Sequence, residues 1–215
     1  MIKKYNQYIK ENNIVYSSDE IDPYGEEDWD DWDDNLTPVL RIAKRQGLPY
    51  DQITELDWHG ERLTSLEGIE NLTELKYLFC SNNNLTSLEG IENLTKLESL
   101  DCWDNSLTNL KGIEDLINLK QLYCSYNNLT SLEGIENLIN LKELSCHHNN
   151  LTSLNEIENL SLKELSCSYN HLTNLEGVEN FKNLKYLSCG GNNFSNDYKK
   201  YLKEYCKKKK IVLYI

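Results

Sequence analysis

Two sets of residues in this chain are spaced as if for chemistry. Six of the seven cysteines recur at one place in a periodic pattern, Cys80, Cys102, Cys124, Cys146, Cys167 and Cys189, and two of the four histidines stand side by side as His147-His148. Thiols in such number raise the question of metal or redox work. Yet a spacing of about 22 residues sets one thiol on each successive strand, roughly 5 Å apart in a row. A row of that kind cannot close a tetrahedral zinc site. The thiols read instead as small, dry core residues. They are expected to be reduced, because an odd number held at a repeat position is no disulfide framework. Around the histidine pair, no Cys, Asp or further His has the motif spacing of a metal site. The sequence shows serines without a base beside them and no Gly-rich phosphate loop. The expectation is no metal, no cofactor and no catalysis.

A third set is acidic. Residues 26–35, EEDWDDWDDN, hold seven acids and two tryptophans without a base, inside a stretch (19–34) of ten acids. The body, 51–193, has 22 acids against nine bases, whereas 195–215 has seven lysines against two acids; the whole chain carries a formal charge of −13. Phosphates would be repelled by most of this surface, so free nucleic acid is not expected as a ligand. A basic protein partner would be drawn in. The opening MIKKYNQYIKENN lacks an apolar h-region and no apolar run reaches the length of a membrane span, so a cytoplasmic location without membrane contact is expected. Secretion by a non-classical route stays open.

The elements that carry these residues follow from self-similarity. LTSLEGIENLTELKYLFCSNNN (63–84) recurs as LTSLEGIENLTKLESLDCWDNS (85–106) and then through 107–128, 129–150, 151–171 and 172–193, after an opening half-repeat at 53–63. Leu75, Leu78 and Cys80 end each unit in the alternation of a half-buried strand. Leu85, Leu88, Ile91, Leu94 and Leu97 recur every third residue, which suits 3₁₀-like or extended turns better than an α-helix. Each unit has an apolar side that only stacking on a neighbour can bury. Asn83, Asn105, Asn127, Asn149, Asn170 and Asn192 stand where the chain leaves each strand, and an amide there can donate and accept for buried backbone. Gly68, Gly90, Gly112, Gly134 and Gly177 mark a second turn with positive φ expected. Glu156 replaces that glycine in the one repeat that is a residue short, so an irregularity is expected near 155–162.

The LxxLxCxxNxL ending resembles the leucine-rich repeat family, in the short bacterial, SDS22-like class shared with internalins. The resemblance covers about two-thirds of the chain. It implies an α/β fold: a curved solenoid with a parallel β-sheet on the concave face, 3₁₀ or extended turns on the convex face, and helical caps at both ends. Internalins carry a calcium-binding-like N-terminal cap, but the DxDxDG loop of such a site is absent here. Three regions are expected: a helical N-terminal cap with the acidic segment (1–52), the solenoid (53–193) and a helix–strand C-terminal cap (194–215). Within the first, Thr37-Pro38 and Gly47 bracket a helix over 38–46, and Asp22-Pro23 starts another over 23–33. Trp29, Asp30, Asp31, Trp32, Asp33 and Asp34 would form an acidic lip.

Function in this architecture usually lies on the concave face, whose side chains alternate with the core. Tyr77, Phe79, Asp101, Trp103, Asp104, Tyr123, Tyr126, Glu143, His147, His148, Glu164, Tyr169 and Tyr186 occupy those columns. Phe79, Trp103, Tyr123, Tyr126 and Tyr169 are expected as an exposed aromatic stripe, with Asp101, Asp104, Glu143 and Glu164 beside it. Aromatics anchor protein interfaces, so the expected function is a non-catalytic protein-binding module with a basic partner. Three alternatives stand beside it: an inhibitor or immunity-type protein against a cationic toxin or nuclease, a secreted effector acting in a host cell, and a self-assembling structural solenoid.

Overall fold

The computed structural model describes residues 50–215. The helices expected at 23–33 and 38–46 and the acidic lip Trp29–Asp34 therefore lie outside the described residues.

Eight three-residue strands stack in chain order into one open, curved, parallel sheet: β1 (Glu55–Asp57), β2 (Tyr77–Phe79), β3 (Ser99–Asp101), β4 (Gln121–Tyr123), β5 (Glu143–Ser145), β6 (Glu164–Ser166), β7 (Tyr186–Ser188) and β8 (Val212–Tyr214). The register repeats the sequence period, with Leu56, Leu78, Leu100, Leu122, Leu144, Leu165 and Leu187 in one line. These leucines point inward with the cysteine column, and together they form one continuous core. All seven cysteines are free and buried.

The three-residue apolar period becomes a chain of turns. In the second full unit Ile91 N–H donates to the Leu88 carbonyl, Leu94 to Ile91 and Leu97 to Leu94, at 3.3, 2.9 and 2.8 Å. Each turn buries its apolar residue and exposes most of the residues between, apart from the buried or half-buried glycine column. The glycine column adopts the left-handed conformation, with φ of 104° at Gly90 and 105° at Gly112. A Cβ at Gly112 would come within 3.2 Å of the Glu92 carboxylate, which can shift; it is the positive φ that calls for glycine. In the short repeat Asn155–Ile157 forms a 3₁₀ turn, and the missing residue removes the last of the three turn bonds. Leu162 still reaches the core, while one Glu156 carboxylate oxygen is buried without a hydrogen-bond partner.

The asparagine column is the lateral tie. Asn127 donates from Nδ2 to the carbonyls of Cys102 (3.0 Å), Cys124 (3.2 Å) and Ser125 (3.2 Å), and its Oδ1 accepts from Leu107 N–H at 2.8 Å. One amide thus serves two adjacent units, and the same set recurs at Asn83, Asn105, Asn149 and Asn170.

After β7 the repeat gives way to helix α1 (Asn196–Lys209), capped by the Ser195 hydroxyl, which accepts from Tyr198 N–H at 3.1 Å. Leu202 and Cys206 are its buried face over the last core layer. Lys207, Lys208 and Lys209 fall in its final turn, where cations complement the helix dipole.

Candidate protein-binding face

The outward residues of the strands lie in columns one strand apart, close to 4.8 Å. Alternation sends Leu78 and Cys80 inward and Tyr77 and Phe79 outward. At the end of each strand the pattern changes. Asn82, Asp104, Tyr126, His148 and Tyr169 all have φ of 53–54°, a left-handed conformation uncommon for side-chain-bearing residues. Rung hydrogen bonds hold each one there: Tyr126 N–H donates to the His147 carbonyl at 3.0 Å and His148 N–H to the Ser168 carbonyl at 2.9 Å. The left-handed residue breaks the alternation, so two consecutive side chains reach the same rim.

That rim is an aromatic rail. Tyr126, His148 and Tyr169 stack with ring centroids 4.2 and 4.3 Å apart and nearly parallel planes. Trp103 meets Tyr126 edge-on at 5.3 Å, and His147 meets both Tyr126 and His148 edge-on at 5.2 and 5.4 Å. The stack ends on Gly191, where an added Cβ would lie 2.6 Å from the Tyr169 ring; the glycine lets that ring lie flat over the next turn. Because the ring faces cover one another, the rail offers mainly ring edges, hydroxyls and imidazole nitrogens to a partner.

Below the rail lies an anionic floor. Glu143 accepts from Tyr123 Oη at 2.9 Å and Gln121 Nε2 at 3.3 Å. The burial of Tyr123 and the neighbouring Glu143 charge push its phenol far above the ordinary value. Glu164 adjoins Glu143 in register, and Glu55 and Asp57 stand on β1. Burial, with the Asp57 charge, raises Glu55. The outward columns contain no Lys or Arg; the lysines nearest to them in sequence stand at the strand approaches, at Lys76, Lys120, Lys142, Lys163 and Lys185.

One expected member of the exposed stripe and one of the acids expected beside it are placed differently. Phe79 is buried, at 4 % exposure, and Asp101 likewise at 7 %. Phe79 stands between Asp57 and Asp101 in register, and side chains on strands this close screen the middle one; alternation assigns direction, not exposure. Asp101 turns to its own backbone, where Oδ1 accepts from Trp103 N–H at 3.0 Å. Burial raises its carboxyl to about 6, against the lowering effect of that bond. Tyr77, Trp103, Tyr123, Glu143, His147, His148, Glu164 and Tyr186 are half-buried on the face, and Asp104, Tyr126 and Tyr169 are exposed. Tyr186 lies apart from the rail, against Tyr214 at 5.3 Å.

Sequence reasoning missed the shared left-handed position, whose signal is the residue just before each column asparagine. His147 and His148, neighbours in sequence, both pack on Tyr126. Burial, then the adjacent His148, holds the His147 imidazole down at about 4. Among the described residues one serine hydroxyl meets an imidazole nitrogen, Ser81 Oγ at 3.0 Å from His59 Nδ1; Asn82 rather than a carboxylate lies near the other ring nitrogen, and Ser81 is buried. Among the described residues no group of three or more metal-ligating side chains comes together, and no helix is long and apolar enough to cross a membrane.

The fold has relatives. An internalin, InlF, from Listeria monocytogenes superposes with a TM-score of 0.62 at 23 % identity, covering 83 % of this chain and 64 % of that one. A leucine-rich repeat protein from Leptospira interrogans gives 0.61 at 30 % identity over 72 % of this chain and 47 % of its own. The functional domain of InlJ from Listeria monocytogenes, described as including a cysteine ladder, gives 0.62 at 37 % identity over 66 % of this chain and 31 % of that one. The chain thus spans less than two thirds of each of these three. No curated protein matches it in sequence. The family profile described as leucine-rich repeats (2 copies) matches residues 73–115, 117–159 and 160–200. Proteins of this kind generally mediate protein–protein interaction. By its repeats, its sheet and that match, the chain belongs to the leucine-rich repeat family.

Proposed function

We propose that this chain is a non-catalytic protein-binding module whose concave face holds a basic protein partner. The observation that carries the reading is the outward face itself: Glu55, Asp57, Asp104, Glu143 and Glu164, with no cation among the same columns, beside a rail of Trp103, Tyr126, His148 and Tyr169. Rigid, preorganised aromatics lose little entropy on binding, and carboxylates at their foot steer a cationic surface toward them. The lysines at the strand approaches bound the anionic zone on one side. The non-catalytic part rests on the buried Ser81, which offers no accessible nucleophile to its imidazole.

A sharper form makes the chain an inhibitor of immunity type, its acids covering the cationic site of a toxin or nuclease; the acids of 19–34 add charge of the same sign. The free, buried thiols fit a reducing compartment such as the cytoplasm.

Affinity capture from the source cell at 50 and 500 mM salt tests the reading. A basic protein should be retained at low salt and released at high salt, and its identity decides between scaffold and inhibitor. Trp103→Ala with Tyr126→Ala should weaken capture at least tenfold while the thermal midpoint moves by only a few degrees. Capture indifferent to both salt and the double variant would dispose of the proposal.

A further inference from the structure

In the described residues the sheet's last strand, β8, has a neighbour on one side only. Among the described residues no strand follows β8. Val212 N–H donates to the Lys185 carbonyl at 2.9 Å, and Cys189 N–H donates to the Tyr214 carbonyl at 2.8 Å. Both residues thus direct their backbone groups at β7. Leu213, between them, turns its N–H and C=O the other way, as strand alternation requires. Such an edge is a template for another strand, and proteins blunt it with charge or proline. Here the edge is apolar: Val212 is 52 % exposed, Tyr214 55 % and Ile215 36 %. A groove of about 840 Å³ opens beside it, lined among others by Tyr169, Gly190, Lys203, Lys207 and Tyr214.

The surroundings of this edge have the opposite charge to the body. Residues 195–215 hold seven lysines and two acids, while 51–193 hold 22 acids and nine bases. Helix α1, which packs against β8, carries most of those lysines.

We propose that β8 accepts an extended, acid-rich segment of a partner protein as a ninth strand. One set of its alternating side chains would lie on Val212 and Tyr214. The other set would turn toward Lys203 and Lys207. The same lysines oppose pairing of β8 with β8 of a second copy, because that arrangement brings two like-charged runs together. This site adjoins the concave face, sharing Tyr169 with the rail, but its strand pairing does not depend on what that face binds.

The test uses the full chain and fluorescently labelled heptapeptides read by anisotropy. The peptide EVEYEVE should bind at least tenfold more tightly than KVKYKVK in 50 mM salt, and Lys203→Glu with Lys207→Glu should remove that preference. N-methylation of alternate peptide amides should abolish binding in one phase and spare it in the other, since only one set pairs with the edge. No difference between the two peptides, or equal loss in both methylation phases, overturns the proposal. So does a concentration-dependent dimer in sedimentation that excludes EVEYEVE, which would give the edge to a second copy.

Discussion

Two titratable residues on the concave face, half-buried His147 and buried Asp101, oppose each other in their response to pH. His147 is held near 4, so between about 4 and 6.5 the unfolded chain binds a proton that the folded one refuses. Stability from this group is present above 6.5 and lost as pH falls. Asp101 is raised to about 6 from 3.8, so across that window the folded chain holds the extra proton. Its contribution is present below 3.8 and lost as pH rises through 6. Glu55 is raised too and acts in the same sense as Asp101. By linkage the effects offset one another in the intact protein. His147→Gln should therefore make the thermal midpoint fall more steeply from pH 4 to 6.5 than in the parent. Asp101→Asn should tilt the same curve upward. Melts at four pH values in that interval check both, and parallel curves for parent and variants would refute the assignment. Both groups were legible as face residues from their place before or after the column cysteine. Their burial was not, because it depends on side chains from neighbouring strands that the local sequence does not name.

At the scale of the element, the unit of this fold is one turn of solenoid tied to the next. Asn127 shows what ties them: four backbone partners, drawn from two units, converge on one amide. Asn127→Ala would leave Leu107 N–H and the Cys102 carbonyl buried without their partner. Each such orphan costs about 1–3 kcal/mol, so the loss should be roughly 3–5 kcal/mol and the thermal midpoint should drop by about 10 °C. Asn192, in the last unit, is only partly buried and should tolerate the same change better. Calorimetry of the two variants side by side checks the contrast. The role of the column was readable from a recurring amide at a strand exit. The left-handed residue just before it was not, since Asn, Asp, Tyr and His share that site without a common preference; the rung hydrogen bonds on both sides impose the conformation on whatever residue occupies it.

Across the whole molecule, seven thiols lie in one core that runs unbroken from the first layer to the helix over the last. Burial pushes Cys80, Cys102, Cys124, Cys146 and Cys167 well above the ordinary thiol range, and Cys189 to about 12. A neutral, inaccessible thiol is a poor nucleophile. Titration with a chromogenic disulfide should show almost no reaction in the native state and seven equivalents in denaturant. Cys206, in the terminal layer, should be the first to react as the end of the stack opens. Early reaction of Cys124, deep in the middle, would contradict the continuous core.

The sequence by itself determined the period, the parallel strands, the thiol and asparagine columns and the family, because a solenoid repeats one local solution and a repeat is visible in one dimension. It also determined the sign of charge on the body and on the lysine-rich C-terminal end. Only the tertiary structure decided which outward residues are open. It stacked Tyr126, His148 and Tyr169 into a rail, sank Phe79 and Asp101 between their neighbours, and left β8, among the described residues, with one edge unpaired. The physical reason is that exposure belongs to three adjacent strands at once. A column can be counted along the chain, but what covers each of its members is set by the turns stacked on either side.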